Sequence, residues 1–316
     1  MQLPQLSLGT LKPKYPIIQG GMAVRVSTAP LAGTVAKVGG IGVIGATGMS
    51  PSELRNEIKK ARMISQGGIL GVNIMYATRL FADLVHAAIS EKIDLIFSGA
   101  GFSRDIFKWG KESNTPIVSI VSSAKAALLA EKCGAAGVVA EGAEAGGHLG
   151  THRSLKEIIP EIVKAVKIPV IGAGGIVNGR DIAEVIKLGA SGVQMATRFV
   201  LSEECSVSHK FKQMYLNAKE EDIVVIKSPV GLPGRAIRNK FVQTIENHSV
   251  PEPEDCSACL KDCSKEYCIM QALINSKNGL VDEGVVFAGQ NVHKIKNILP
   301  VSTIFDNLLQ EYALVE

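Results

Sequence analysis

Short apolar segments recur along the chain as continuous runs in which polar residues do not alternate. Such runs are typical of strands that are buried on both faces of a parallel sheet. The stretches between them are long enough for one crossover helix each, which indicates right-handed βα units. Eight strands are predicted, at residues 16–19, 41–44, 70–74, 95–98, 116–121, 137–140, 169–172 and 192–195. Eight such units close into one barrel, so we expect an α/β fold of the (β/α)₈ TIM-barrel class.

Helix start signals and a change of pattern define the rest of the organisation. Pro51 suits a first helical turn, and the sequence from Ser154 to Glu157 has capping-box spacing. After Met195, residues 204–220 look helical, residues 224–225 pair briefly, residues 228–238 are rich in turn residues and residues 269–277 are helical. Residues 1–222 are therefore predicted to form the barrel. Residues 223–316 are predicted to be a C-terminal helical and cysteine-bearing elaboration that packs back on it.

Composition and charge exclude several classes of protein. The 316 residues include 34 Lys and Arg and 30 Asp and Glu, a net charge of +4, without a basic run for nucleic acid. The first residues lack the basic flank and apolar core of a signal peptide, and the apolar stretches are too short to span a membrane. We therefore expect a cytoplasmic protein that has neither nucleic acid nor membrane as a partner. A homodimer is compatible with the sequence.

Glycine follows several of the predicted strands, where barrels bind their ligands. Gly20 and Gly21 come directly after the first strand, although a tight turn would explain this pair alone. Gly174 and Gly175 follow the seventh strand, and Gln194-Met195-Ala196-Thr197 ends the eighth. Glycine N–H groups and a following helix start favour an anion, so these two loops predict a phosphate site rather than plain packing turns.

The densest group of candidate residues is Glu141-Gly142-Ala143-Glu144-Ala145-Gly146-Gly147-His148, after the sixth strand. Histidine can give or take a proton near neutral pH, and neighbouring carboxylates would tune it. A lone histidine is more often structural. Here the glycine flanks would expose His148 in a cleft, which favours a catalytic role.

Together these motifs resemble the nitronate monooxygenase and enoyl-acyl-carrier-protein reductase II family of FMN-dependent barrels. The resemblance covers about residues 15–199 and 287–290. Its most specific stretches are Tyr15-Pro16-Ile17-Ile18-Gln19-Gly20-Gly21-Met22-Ala23, Gly71-Val72-Asn73 and the run from Glu141 to His148.

The resemblance implies a role for each matching position. His148 would face the substrate as the catalytic residue. The residues that would bind FMN are Gly20, Gly21, Met22, Asn73, Glu141, Gly146, Gly147, Gly174, Gly175, Gln194, Ala196 and Thr197. Of these, Gly174, Gly175, Ala196 and Thr197 would hold the phosphate.

The sequence leaves two branches of the family open. Gly20-Gly21-Met22-Ala23 and Val72-Asn73-Ile74-Met75 look like the reductases, whereas Ala196 in place of the usual glycine and the loop 228–235 look closer to nitronate monooxygenases. We favour NAD(P)H-dependent reduction, through FMN, of an activated C=C bond in a small-molecule or acyl-carrier-linked enoyl thioester. In it, His148 or a water would protonate the α carbon. Oxidation of alkyl nitronates is the alternative.

Four cysteines form a separate signal, Cys256-x₂-Cys259-x₃-Cys263-x₄-Cys268. Four thiolates within 13 residues can hold one metal centre, either a tetrahedral Zn²⁺ or a four-cysteine iron–sulfur cluster. We expect iron–sulfur, because an electron-carrying centre makes sense beside a flavin, and an electron donor protein would then be a partner. Four reduced thiols in a loop are the remaining alternative.

Overall fold

The computed structural model describes residues 3–253 and 256–315. Its strands are β1 (Ile17–Gln19), β2 (Ile41–Gly45), β3 (Leu70–Met75), β4 (Leu95–Gly99), β5 (Ile117–Val121), β6 (Gly137–Glu141), β7 (Gly147–His148), β8 (Val170–Ala173), β9 (Gly192–Met195), β10 (Ile223–Ile226) and β11 (Gly234–Ile237). Its helices are α1 (Ala29–Val38), α2 (Pro51–Ser65), α3 (Phe81–Ser90), α4 (Asp105–Ser113), α5 (Ala124–Lys132), α6 (Leu155–Ala165), α7 (Gly179–Lys187), α8 (Thr197–Val200), α9 (His209–Asn217), α10 (Lys240–Glu246), α11 (Ile269–Lys277) and α12 (Val301–Ala313). Short 3₁₀ turns lie at Glu220–Asp222, Val281–Glu283 and Val292–Lys294.

The predicted barrel is confirmed within the described residues. Eight parallel strands close in the order β1-β2-β3-β4-β5-β6-β8-β9, and each predicted strand agrees with an observed one to within one residue at either end. The helix starts are also as predicted: Ser50 caps α2 ahead of Pro51, and Ser154 and Glu157 form a reciprocal capping box on α6.

Alternating side chains divide the core into an inside and an outside. Ile18, Val43 and Phe97 point into the barrel, whereas their neighbours Ile17 and Ile44 pack against the helices. The N-terminal residues Leu6 and Leu8 join the interior cluster and lie against the first residues of β9 and β6. They close the amino-terminal end of the barrel, so the carboxyl ends of the strands are left for ligands.

Two predictions for the C-terminal region need correction. The helix expected over residues 204–220 is only α9, because the Ser208 side chain caps its start and the chain is extended again at Ala218. The segment 228–238 is not all turn, because its second half is β11, which pairs antiparallel with β10.

A small three-stranded sheet connects this region to the barrel. The strands run in the order β10-β11-β7, and β7 comes from the loop after β6. At the C-terminal end of the chain, α12 packs against α1 and α7, and Glu311 accepts a hydrogen bond from the backbone N–H of Gly179 at 2.7 Å.

The boundary at residue 222 between the barrel and the C-terminal elaboration stays a prediction. In the part of the chain that the structure describes, no helix is long and apolar enough to cross a membrane.

Candidate active site

Two adjoining cavities lie at the carboxyl ends of the barrel strands. The larger has a volume of about 250 Å³ and the smaller of about 60 Å³. Lining residues common to both include Glu141, Gln194 and Thr197, so the two form one continuous site. The larger cavity is also lined by Gly20, Gly21, Met22, Asn73, Gly146, Gly147, His148 and Ala196, and the smaller by Gly174 and Gly175. The fold thus brings together every residue predicted for the cofactor and for catalysis.

The loop after β1 lies tightly against β3. A Cβ atom on Gly21 would be 2.3 Å from the Cβ of Asn73, so only glycine fits there. The Ser27 hydroxyl accepts hydrogen bonds from the backbone N–H groups of Met22 at 2.7 Å and Gly45 at 3.1 Å, which holds the loop to β2. The loop and Asn73 therefore form one fixed wall of the larger cavity.

The smaller cavity has the character of an anion site. Gly174 and Gly175 have φ angles of +115° and +71°, a conformation that side chains disfavour. Asn291 donates to the carbonyl of Gly175 at 2.6 Å, and Thr197 Oγ1 accepts from the N–H of Gly289 at 3.0 Å, which leaves the hydroxyl hydrogen of Thr197 for a ligand. Among the described residues, no lysine or arginine lines this cavity, so its donors are neutral: backbone N–H groups, this hydroxyl and side-chain amides.

His148 is held by residues from distant loops. It pairs with Gly234 in the small sheet, its Nε2 lies 2.8 Å from Ser228 Oγ, and its ring meets that of Phe287 edge-on at 5.1 Å. Burial lowers the pKa of His148 to about 4, because the charged imidazolium loses its hydration. The ring is therefore neutral at pH 7.

The two carboxylates of the motif after β6 have different surroundings. Glu144 accepts a hydrogen bond from the backbone N–H of Leu155 at 2.9 Å and so supports the start of α6. Glu141, the last residue of β6, lines both cavities, and burial raises its pKa to about 7. Among the described residues no cation opposes this shift, so Glu141 can give or take a proton near neutral pH.

An unpartnered atom in the larger cavity bears on the cofactor. Gln194 Oε1 is buried and accepts no hydrogen bond from the described residues. A buried carbonyl oxygen without a donor is costly unless a ligand supplies one. The isoalloxazine ring of FMN carries an N–H donor, and its flat apolar body suits the larger cavity. The smaller, glycine-lined cavity would take the phosphate, so the residues present fit FMN.

The predicted metal ligands share one cavity, which borders the larger cavity of this site. All four thiols are free, and they line a cavity of about 280 Å³. Cys256 and Cys263 are exposed, whereas Cys259 and Cys268 are partly buried. Among residues 3–253 and 256–315, no group of three or more His, Cys, Asp or Glu side chains is arranged to hold a metal ion. The metal centre therefore stays a prediction.

The sequence did not indicate several residues of the site. Ser228 and Phe287 contact His148, and Tyr215, which also lines the larger cavity, donates to the carbonyl of Phe287. The apolar wall of the larger cavity was also missed; it consists of Met75, Val230, Leu260, Ile269, Met270 and Leu273. The helix at residues 269–277 was predicted, but its sequence does not say which face covers the cavity.

Fold and site define a barrel enzyme with a phosphate-bearing cofactor at the carboxyl ends of its strands. The family model described as nitronate monooxygenase matches residues 5–95 and 85–311. The chain belongs to the nitronate monooxygenase family, whose members are FMN-dependent oxidoreductases, and this confirms the enzyme class that the motifs predicted.

Individual relatives agree with this assignment. A probable nitronate monooxygenase from Staphylococcus aureus (strain MSSA476) is 33% identical, over 76% of this chain and 80% of the relative. The structure of FabK from Thermotoga maritima is 33% identical, with a TM-score of 0.87 over 95% of this chain and 93% of that one. A nitroalkane oxidase from Streptomyces ansochromogenes, 22% identical, has the same fold with a TM-score of 0.82 over 95% of this chain and 96% of that one.

Proposed function

We propose that this enzyme reduces an activated carbon–carbon double bond, with NAD(P)H as the reductant and an enoyl thioester as the substrate. The observation that carries the proposal is the lining of the larger cavity. Within the described residues it contains an apolar wall and no lysine or arginine. Each CH₂ group of an acyl chain gains about 0.8 kcal/mol from such a wall. A nitronate is an anion, and burying it without a cation is unfavourable.

The relatives include proteins named for each of the two candidate reactions. FabK, an enoyl-acyl-carrier-protein reductase II, is similar over nearly the whole chain, which favours reduction and an acyl carrier as the bearer of the thioester. The curated relative named a probable nitronate monooxygenase favours the second candidate, oxidation of an alkyl nitronate. Among the described residues, no lysine or arginine lines the larger cavity, and this supports the first candidate.

FMN, when bound, supplies the two-electron transfer between NAD(P)H and the double bond. The protein supplies the polar groups around it. His148 is neutral at pH 7, so its imidazolium is a poor proton source, but a neutral ring can still donate a hydrogen bond. Nε2 is engaged by Ser228, and Nδ1 has no hydrogen-bond partner among the described residues. We propose that His148 donates a hydrogen bond to the thioester carbonyl and so stabilises the negative charge that develops there during reduction.

Glu141 is the acid of the same cavity. With a pKa of about 7 it is partly protonated at neutral pH, and it can deliver a proton to the α carbon directly or through a water. The neutral His148 and the protonated Glu141 then divide two tasks, stabilisation of charge and donation of the proton. A metal centre at the four cysteines is proposed beside this site.

The test compares the two candidate reactions in the purified, FMN-loaded enzyme. Oxidation of NADH and NADPH is followed with crotonyl-coenzyme A under nitrogen, and consumption of oxygen is followed with ethyl nitronate in air. We expect turnover of NAD(P)H with the enoyl thioester and little reaction with the nitronate. Rapid oxygen uptake with the nitronate and none of the first reaction would establish the second candidate instead.

A further inference from the structure

The four-cysteine loop, residues 256–268, is anchored to the barrel beside the active site. The carbonyl of Cys259 accepts a hydrogen bond from the N–H of Arg79 at 3.0 Å. Lys261 donates its N–H to the carbonyl of Ala77 at 2.8 Å. These contacts join the loop to the segment that follows β3, so its position relative to the barrel is fixed on this side.

The later part of the same loop holds the segment that carries Ser228. The Tyr267 hydroxyl donates to the carbonyl of Lys227 at 2.9 Å. The N–H of Ser264 donates to the carbonyl of Pro229 at 3.0 Å. Ser228 therefore lies between two backbone groups that the loop holds. Tyr267 and Ser228 are 2% and 8% exposed, and hydrogen bonds between such buried groups are stronger than those in water.

The side chain of Tyr267 has a fixed place next to Ser228. Its ring packs edge-on against that of Phe241, with 5.6 Å between the ring centroids. Burial raises the pKa of the Tyr267 hydroxyl, and a hydrogen bond with the Ser228 side chain opposes part of this rise. The hydroxyl therefore stays protonated at neutral pH and remains a hydrogen-bond donor.

Ser228 connects these contacts to His148. Its Oγ lies 2.8 Å from Nε2 of His148, whereas Nδ1 has no hydrogen-bond partner among the described residues. The hydrogen bond at one nitrogen of a histidine determines which nitrogen carries the proton and how the ring is oriented. A displacement of Ser228 would therefore change the orientation of the His148 ring in the larger cavity.

We propose that Tyr267 is a positioning residue, which acts on His148 through Ser228, and that the four-cysteine loop serves to hold it there. Tyr267 does not line the larger cavity, so its effect on the reaction is indirect. The inference requires no metal at the four cysteines. It rests on the role proposed for His148 in the reaction.

The first experiment is a double-mutant cycle in the FMN-loaded enzyme, assayed with NAD(P)H and crotonyl-coenzyme A. Tyr267→Phe removes the hydroxyl and keeps the ring, and Tyr15→Phe, ahead of β1 at the opposite end of the barrel, is the matched control. Because His148 acts on charge that develops in the transition state, Tyr267→Phe should lower kcat about tenfold and leave KM nearly unchanged. In the His148→Ala background the same change should lower kcat less than about twofold. Tyr15→Phe should leave kcat unchanged in both backgrounds.

A spectroscopic readout separates this inference from the proposed function, because it needs no substrate. The chain has six histidines, so isotope-labelled histidine gives few ring signals in nitrogen NMR, and His148→Gln identifies the signal of His148. In the FMN-loaded protein, Tyr267→Phe should shift this signal and Tyr15→Phe should not. If the signal shifted but the unmodified enzyme did not reduce crotonyl-coenzyme A, the proposed function alone would fail.

Two results would overturn the positioning role. One is a His148 signal in Tyr267→Phe that equals that of the unmodified protein. The other is a loss of kcat that is as large in the His148→Ala background as without it, because the hydroxyl would then act on the fold in general. Should Tyr267→Phe fail to fold, as loss of FMN would reveal, Ser228→Ala breaks the same series of contacts at its next link and is judged by the same criteria.

Discussion

Replacing Glu141 by glutamine should change the pH dependence of stability in the FMN-free protein. Burial raises the pKa of this carboxyl from its ordinary 4.5 to about 7, because the cavity hydrates the charged form poorly. Between these two values the folded protein holds the proton more tightly than the unfolded chain does. Stability from this group is therefore fully present below pH 4.5, and it falls as the pH rises to about 7.

The size of the effect follows from the shift. The two pKa values differ by about 2.5, and a difference of one corresponds to about 1.36 kcal/mol, so the effect is at most about 3.4 kcal/mol. Glutamine is always neutral and lacks this dependence. The free energy of unfolding of Glu141→Gln, relative to the unmodified protein, should therefore rise by up to about 3 kcal/mol between pH 4.5 and pH 8.

Urea unfolding at a series of pH values measures this difference, with the fluorescence of Trp109, the single tryptophan, as the signal. Glu112→Gln, at an exposed position of α4, is the matched control, and its free energy of unfolding relative to the unmodified protein should not change with pH. If the free energy of unfolding of Glu141→Gln relative to the unmodified protein were also constant with pH, Glu141 would have an ordinary pKa. Its role as the acid of the cavity would then fail.

Three further substitutions test the site and its support. Gly21→Ala should lose FMN, since the new Cβ would lie 2.3 Å from that of Asn73, whereas Gly67→Ala, whose φ of +92° is strained but whose added Cβ has no atom within 4 Å, should keep it; equal FMN content in both would refute the packing argument. His148→Ala should lower turnover about 100-fold with FMN still bound, and His148→Gln, which keeps an N–H donor, should recover part of the loss; unchanged turnover would exclude the proposed contact. Asn239→Ala should destabilise the protein by about 2 kcal/mol or more, because this buried side chain caps α10 and donates to two carbonyls; Asn239→Asp keeps the capping oxygen but turns an acceptor towards those carbonyls, so it should lose at least as much, and chemical denaturation that found Asn239→Asp as stable as the unmodified protein would contradict these hydrogen bonds.

Local pattern was sufficient to predict the barrel. Strands such as β3 and β4 are continuous apolar runs because both of their faces are buried, and this property can be seen in any short window of sequence. By contrast, β7 has only two residues, which is too short for any pattern. The strand β11 begins at a glycine among turn residues and is defined by its partners β10 and β7, so only the folded chain reveals it.

The candidate site also contains residues that the sequence predicts and residues that it does not. Gly174, Gly175 and the Glu141–His148 motif directly follow barrel strands, and the closed barrel brings such positions together. Ser228 lies 80 residues from His148 along the chain and reaches it through the small sheet, which no local signal indicates. The cysteines were recognised from their spacing, but only the structure places their cavity against that of the flavin.

Mass analysis of the reaction product tests the central proposal most directly. The FMN-loaded enzyme is incubated under nitrogen with NAD(P)H and a short enoyl thioester, and the acyl group is identified by mass spectrometry. The proposed function predicts the saturated thioester, formed in proportion to the NAD(P)H oxidised. Recovery of unchanged enoyl thioester from an enzyme that oxidises an alkyl nitronate in air would contradict it.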